Sequence, residues 1–144
     1  ATQRGFCGLV ASTTFVVDTD TPSAVSGVDL VGVGFDDGDT TLSLYYNDNV
    51  GVPTKVGLGA SFPVAVDEIY RLKLSCDDGG AAISYTVRRV GTAVESTGSL
   101  TTNIPRDNIF MALQAATHNG ATATQVELDI LGMYYTAGSL PISA

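Results

Sequence analysis

VGVGFDDGDTTLSLYYNDNVG, residues 31–51, decides the fold. Valine, phenylalanine, leucine and tyrosine alternate with small or polar residues on both sides of Asp37-Gly38. Asp-Gly supplies the positive φ angles that a tight hairpin turn needs. Folding about that pair sets Val33 opposite Leu42 and Val31 opposite Leu44. A slip of one residue would throw every apolar pair to the opposite face, so matched pairs argue for the register.

The same device recurs downstream. A turn at Asp78-Gly79 sets Leu74 against Ile83, Leu72 against Tyr85 and Tyr70 against Val87. A turn at Asn119-Gly120 sets Leu113 against Val126, Met111 against Leu128 and Ile109 against Ile130. Shorter strands are expected at Gly5–Ser12, Lys55–Leu58 and Val94–Thr101. Segments 13–27 and 59–69 read as loops, with Pro22 and Pro63 interrupting pairing. No stretch carries a helical stripe. The expectation is an all-β, hairpin-rich antiparallel β-sandwich of the jelly-roll or lectin-like kind, a single domain over residues 1–144.

Composition narrows the function classes. Hydrophobic residues make up 44% of the 144 residues and charged residues 15%, with 16 glycines, which is a folded, turn-rich chain. Fifteen acids against seven bases give a net charge of −8, so a nucleic-acid partner is not expected. No apolar run approaches the roughly 18 residues of a membrane-spanning helix, so no membrane insertion is expected. The opening ATQRGFCGLV lacks the charged-then-apolar layout of a secretory signal, which leaves the compartment open. Cys7 and Cys76 both stand in apolar-patterned segments. Buried free thiols are the preferred reading, with a single disulfide the alternative.

The acids pose the sharper question. Asp36, Asp37 and Asp39 precede one strand and Asn47, Asp48 and Asn49 follow it. Calcium takes six to eight oxygens, so a cage would need the two groups to meet. A strand over Thr41–Tyr46 holds them roughly 20 Å apart, and Asp and Asn are ordinary turn residues. Two acidic turns, with no metal and no cofactor, is the reading. Glu127-Leu-Asp129-Ile-Leu-Gly132 resembles the E-x-D-x-x-E signature of jelly-roll β-glucanases, but Gly132 stands where the acid/base carboxyl would be. Glycoside hydrolysis needs both carboxyl groups, so no catalytic residue is assigned and no enzyme is expected. His118, the one histidine, reads as a solvated turn residue.

Three surface features remain. Arg71, Lys73 and Arg88 share the outward face of the second hairpin; ordinary solvation is preferred there over a patch for an anionic sugar or a neighbouring subunit. Leu131, Met133 and Tyr135 continue the face of Glu127 and Asp129, and read either as a subunit contact or as a face buried under a loop such as 13–27. Tyr45, Asn47, Asp48 and Asn49 combine an aromatic with amide and carboxylate groups, the makings of a sugar-contacting site.

A family resemblance follows from particular residues. Gly32-x-Gly34-x-Asp36-x-Gly38-Asp39-Thr40, Leu42, Asn47-Asp48, Gly51, Thr54-Lys55, Leu58-Gly59 and Phe62-Pro63 resemble a module of tail and other structural proteins of tailed bacteriophages. The likeness continues through Tyr70-x-Leu72-x-Leu74, Tyr85-x-Val87 and Asn119-Gly120 with Thr122-Ala123, covering about residues 28–135. The chain departs from the module in carrying Thr40-Thr41 where the module has threonine and asparagine after Gly-Asp. The resemblance implies a virion component, assembled in the host cytoplasm, of the tail fibre or spike kind. It further implies host-surface attachment or assembly, a homo-oligomer with a trimer favoured, and no active site. The alternatives are a carbohydrate-binding module for a cell-surface glycan, calcium-assisted or not, and a degenerate glycan hydrolase.

Overall fold

The computed structural model describes residues 3–14, 17, 21–77, 79–120, 130 and 132. Among the described residues eight strands run in chain order: β1 Arg4–Val10, β2 Asp29–Phe35, β3 Ser43–Asp48, β4 Thr54–Gly57, β5 Tyr70–Cys76, β6 Ile83–Arg89, β7 Glu95–Leu100 and β8 Ala112–His118. They form two antiparallel sheets in a sandwich, a five-stranded sheet in the order β4-β3-β2-β1-β8 and a three-stranded sheet in the order β5-β6-β7. Among the described residues no helix is long and apolar enough to cross a membrane.

Side-chain alternation assigns the faces of the larger sheet. Val31, Val33 and Leu44 point inward, where they pack with Ile83, Val87 and Leu100 of the smaller sheet and with Leu42 and Phe62. Phe6, Val10, Leu30 and Tyr45 point the other way, yet they too are buried, in a second cluster with Val17, Val25 and Val28. These three valines, from the chain between β1 and β2, cover this outer face. β2 is therefore enclosed on both sides, which explains why DLVGVGF has apolar residues at both parities.

Two close approaches shape the larger sheet. Gly8 and Gly32 are cross-strand partners. A Cβ on Gly32 would lie 2.4 Å from the Cys7 carbonyl oxygen and 2.7 Å from both the Gly8 Cα and the Phe6 ring tip. The missing side chains thus make room for neighbouring backbone and for an aromatic ring laid across them, as is common where a sheet carries glycine.

The first two hairpins form where the sequence places them but in a different register. Val33 faces Leu44 rather than Leu42, and Val31 faces Tyr46 rather than Leu44. Leu74 faces Tyr85, Leu72 faces Val87 and Tyr70 faces Arg89, while Ile83 takes Cys76. Both corrections are shifts of two residues, so every side chain keeps its face. Their causes are local. In the first loop, residues 40–42 leave β2 to bond the 62–64 segment, with Leu42 N–H donating to the Phe62 carbonyl and Val64 N–H to the Thr40 carbonyl, both at ordinary length. In the second, Asp77 organises the turn, its Oδ1 accepting from Ala81 N–H at 3.0 Å. Positive φ falls at Gly80, one residue beyond the expected Gly79.

For the third hairpin, Gly120 has the positive φ of a turn residue and β8 ends at His118. Ile109 and Met111 precede β8, and Val126 and Leu128 lie outside the described residues. The thiols need one correction. Both cysteines are free, but Cys76 is exposed where a buried thiol was expected, and Cys7 is half-buried.

Candidate functional site

A polar cluster that joins three charged side chains lies at the β2–β3 turn of the larger sheet, on its outer face. Lys55 stands opposite Tyr45 on the edge strand β4. Its ammonium reaches Asp36 Oδ2 at 2.8 Å and Asp39 Oδ2 at 2.7 Å, and lies 5.9 Å from the Tyr45 ring centroid. Asp36 Oδ1 accepts from Ser23 N–H at 3.0 Å, and Asp39 Oδ2 accepts from Asp36 N–H at 2.9 Å. Asp39 N–H closes the turn on the Asp36 carbonyl at 3.1 Å. The acidic turn therefore shapes itself, grips one lysine and ties down the covering segment at the short 3-10 turn Pro22–Ala24.

Electrostatics tell what such a cluster can do. Burial alone would raise the Asp36 carboxyl, but hydrogen bonds from Lys55 and Ser23 and the Lys55 charge outweigh it and hold the group below its ordinary pKa. Burial would lower the Lys55 ammonium, but its bonds to Asp36 and Asp39 and their charges raise it instead. The Tyr45 phenol is pushed well above its ordinary value, by burial first and then by the charges of Asp36 and Asp39. Asp36 and Lys55 are held charged and the Tyr45 phenol is held protonated, each with its pKa moved further from pH 7. A general acid or base needs the opposite, a pKa near the working pH. The cluster is a locked ion pair suited to holding chain segments together, and it is not tuned for proton transfer.

The turn at the other end of β3 behaves similarly. Asp29 and Asp48 are cross-strand partners there, whereas the Asp36 turn lies at the opposite end of the same hairpin. Asn47 is fully buried, and its amide donates to the Val28 carbonyl at 3.0 Å and the Gly51 carbonyl at 3.3 Å. Asp48 Oδ1 accepts from Val50 N–H at 3.0 Å, and Asn49 takes a positive φ of 73°. These are the local bonds and left-handed conformations that make Asp and Asn turn residues. Tyr45 is fully buried as well. Of the four residues expected to meet a sugar, Tyr45 and Asn47 are thus buried, while Asp48 and Asn49 are half-buried.

Residues with structural consequence that the sequence did not single out are mostly long-range partners. Arg106 closes on Asp29, which is 1% exposed, through its backbone N–H at 2.9 Å and its guanidinium at 2.6 Å. Asn103 donates to Thr54 Oγ1 at 2.7 Å. Gln114 on β8 donates to the Ser12 and Thr14 carbonyls at 2.9 and 3.1 Å, and Arg4 on β1 to the Val17 carbonyl at 2.7 Å. Arg89 pairs with Glu68. Arg4 and Gln114 share a role with Asp36 and Asn47, since each of the four fastens the segment that covers the outer face. A parity count along β3 offered one signal, since Tyr45 and Asn47 share the face of Ser43 and not that of Leu44.

His118 ends β8, and its Nδ1 accepts from Gly120 N–H at 2.9 Å, as a turn histidine would. Among the described residues no three His, Cys, Asp or Glu side chains converge as a metal site. A depression between Val10–Thr13 and Phe110–Ala112 is lined by no titratable side chain. Glu127, Asp129, Leu131, Met133 and Tyr135 lie outside the described residues. Arg71, Lys73 and Arg88 are exposed on one face of the smaller sheet, with Arg71 and Arg88 directly opposed. No family model, no curated protein and no solved structure matches the chain.

Proposed function

We propose that this chain is a non-enzymatic structural domain of a bacteriophage virion, from a tail fibre, spike or related protein, acting in host-surface attachment or assembly. One observation carries the non-enzymatic part. In the cluster best equipped for chemistry, Asp36, Asp39 and Lys55 lock one another's charges, and Asp36 also holds the outer-face segment at Ser23. The resemblance to structural modules of tailed phages across residues 28–135 supports the virion assignment. A sandwich by itself does not specify a function.

In this reading the domain works as a homo-oligomer, with a trimer favoured, and Leu131, Met133 and Tyr135 are its proposed contact residues. The test is solution mass by sedimentation. A species of three times the 14.9 kDa chain mass supports the appendage reading, and a strict monomer at high concentration removes it.

The second reading is a free-standing carbohydrate-binding module. Its favouring observation is an exposed face on the smaller sheet that offers hydroxyl groups and cations that enter no ion pair among the described residues. A monomer that binds glycans would select it.

A further inference from the structure

We infer that the outward face of β5-β6-β7 is a binding surface for an acidic polysaccharide, with Arg71, Lys73 and Arg88 as its cationic contacts. This deepens the attachment reading by naming the chemistry of the surface that is met.

The chain has seven lysines and arginines. Lys55, Arg89 and Arg106 are held in ion pairs, and Arg4 is bonded to the Val17 carbonyl. Among the described residues the other three enter no ion pair, and all three are on this one face. The inner residues of the same strands, Leu72, Val87 and Leu100 among them, pack into the core, so alternation sends Arg71, Lys73 and Arg88 outward. Arg71 lies directly across from Arg88, and Lys73 across from Thr86. With neighbouring strands about 4.8 Å apart and alternate residues about 6.7 Å apart, the three side chains root within one small triangle.

Like charges placed directly opposite are unfavourable in a sheet. Glu95, across from Arg88 on the other side, can offset one of them. An anion lying over the face would relieve the rest. The overall charge of −8 makes this concentration of positive charge stand against its surroundings.

The rest of the face selects the partner. Beside Lys73 runs a row of Thr86 and Thr97, and a row of serines follows it. Hydroxyl groups match a sugar chain. A protein partner would call for an apolar or aromatic centre, and this face has none. A single-stranded nucleic acid would call for aromatic stacking platforms, also missing here, and a duplex would be repelled by the acidic remainder. A flat, polar surface suits a polymer making several shallow, salt-sensitive contacts.

The test is interferometry with immobilised polygalacturonate, heparin, neutral dextran and duplex DNA in roughly 50 mM salt, where screening is weak. The expected result is binding to polygalacturonate or heparin, none to dextran, and loss in high salt. Arg71→Gln/Lys73→Gln/Arg88→Gln, all on the solvent side, should weaken that binding by about tenfold or more, while Glu95→Gln should tighten it about twofold. No binding to either polyanion, undiminished binding by the triple variant, no effect of Glu95→Gln, or tighter binding to DNA would each overturn the proposal. An oligomer that ignores both polyanions loses this inference and keeps the virion reading. A monomer that binds them through this face does the reverse.

Discussion

Arg106 closes on Asp29 across 77 positions of sequence, with four hydrogen bonds to one carboxylate that is 1% exposed. Burial alone would raise that carboxyl, yet the bonds from Arg106 hold it below its ordinary pKa. The pair anchors the segment between β7 and β8 to the first residue of β2. Asp29 is the buried member and Arg106 is half-exposed, so removing the guanidinium leaves a buried carboxylate without its counter-charge, whereas removing Asp29 leaves only a solvated cation. Arg106→Gln should therefore lower the unfolding free energy by about 1–3 kcal/mol, read from urea denaturation. A loss within experimental error would show that the anchor is dispensable.

Lys55 couples the acidic turn to β4, and the coupling is measurable. Lys55→Met leaves Asp36 and Asp39 facing each other without a counter-charge, and Asp36→Asn removes one of the two carboxylates that hold the ammonium. Each change should cost about 1–3 kcal/mol, and the double variant should cost less than their sum by about 1 kcal/mol. Additive losses would mean that the two groups meet without interacting energetically.

The glycine pair in β1 and β2 gives a steric prediction. Gly32→Ala places a Cβ 2.4 Å from the Cys7 carbonyl oxygen, against backbone that cannot move aside. It should destabilise by about 3 kcal/mol or more. Gly57→Ala on β4 meets nothing within 4 Å and needs no positive φ, so it should stay within about 0.5 kcal/mol of the parent. Thermal melts of the two variants, side by side, make the comparison.

The thiols should react in sequence. Cys76 is exposed and Cys7 half-buried, and both are free. Burial raises both thiols, with the Asp77 charge adding to the effect at Cys76, so neither is an activated nucleophile. A disulfide-type thiol reagent at neutral pH should label Cys76 first and Cys7 only slowly, with complete labelling after unfolding. Equal rates in the native protein would contradict the placement of Cys7.

How much of this was legible in the sequence divides by range. Turn residues and alternation located the first two hairpins and set the face of each side chain, because those signals are local. Register was missed by two residues in both, since Asp77 and the 62–64 segment lengthen the loops through bonds that no local pattern announces. The acidic turns were correctly separated to opposite ends of β3, but Lys55 as the partner of Asp36 and Asp39 was not foreseen. Tyr45 and Asn47 looked accessible beside a turn. They are buried because Val17, Val25 and Val28 bring the β1–β2 connection down over the outer face. Leu30 beside Val31 hinted at that second core, as apolar residues at both parities require cover on both sides.

These acids hold the fold through Arg106, Ser23 and Lys55, and the prediction is that they do so without calcium. Carbon-detected NMR titration of the aspartate carboxyls, with and without calcium, tests it most directly. Asp29 and Asp36 are depressed, so the stability each contributes is complete above the unfolded-state value of about 3.9 and is lost as the pH falls through the lower folded-state value. Both carboxyls should titrate below about pH 3.9 and should be indifferent to calcium. Titration at or above that value, or a calcium-induced shift at Asp36 and Asp39, would contradict the account.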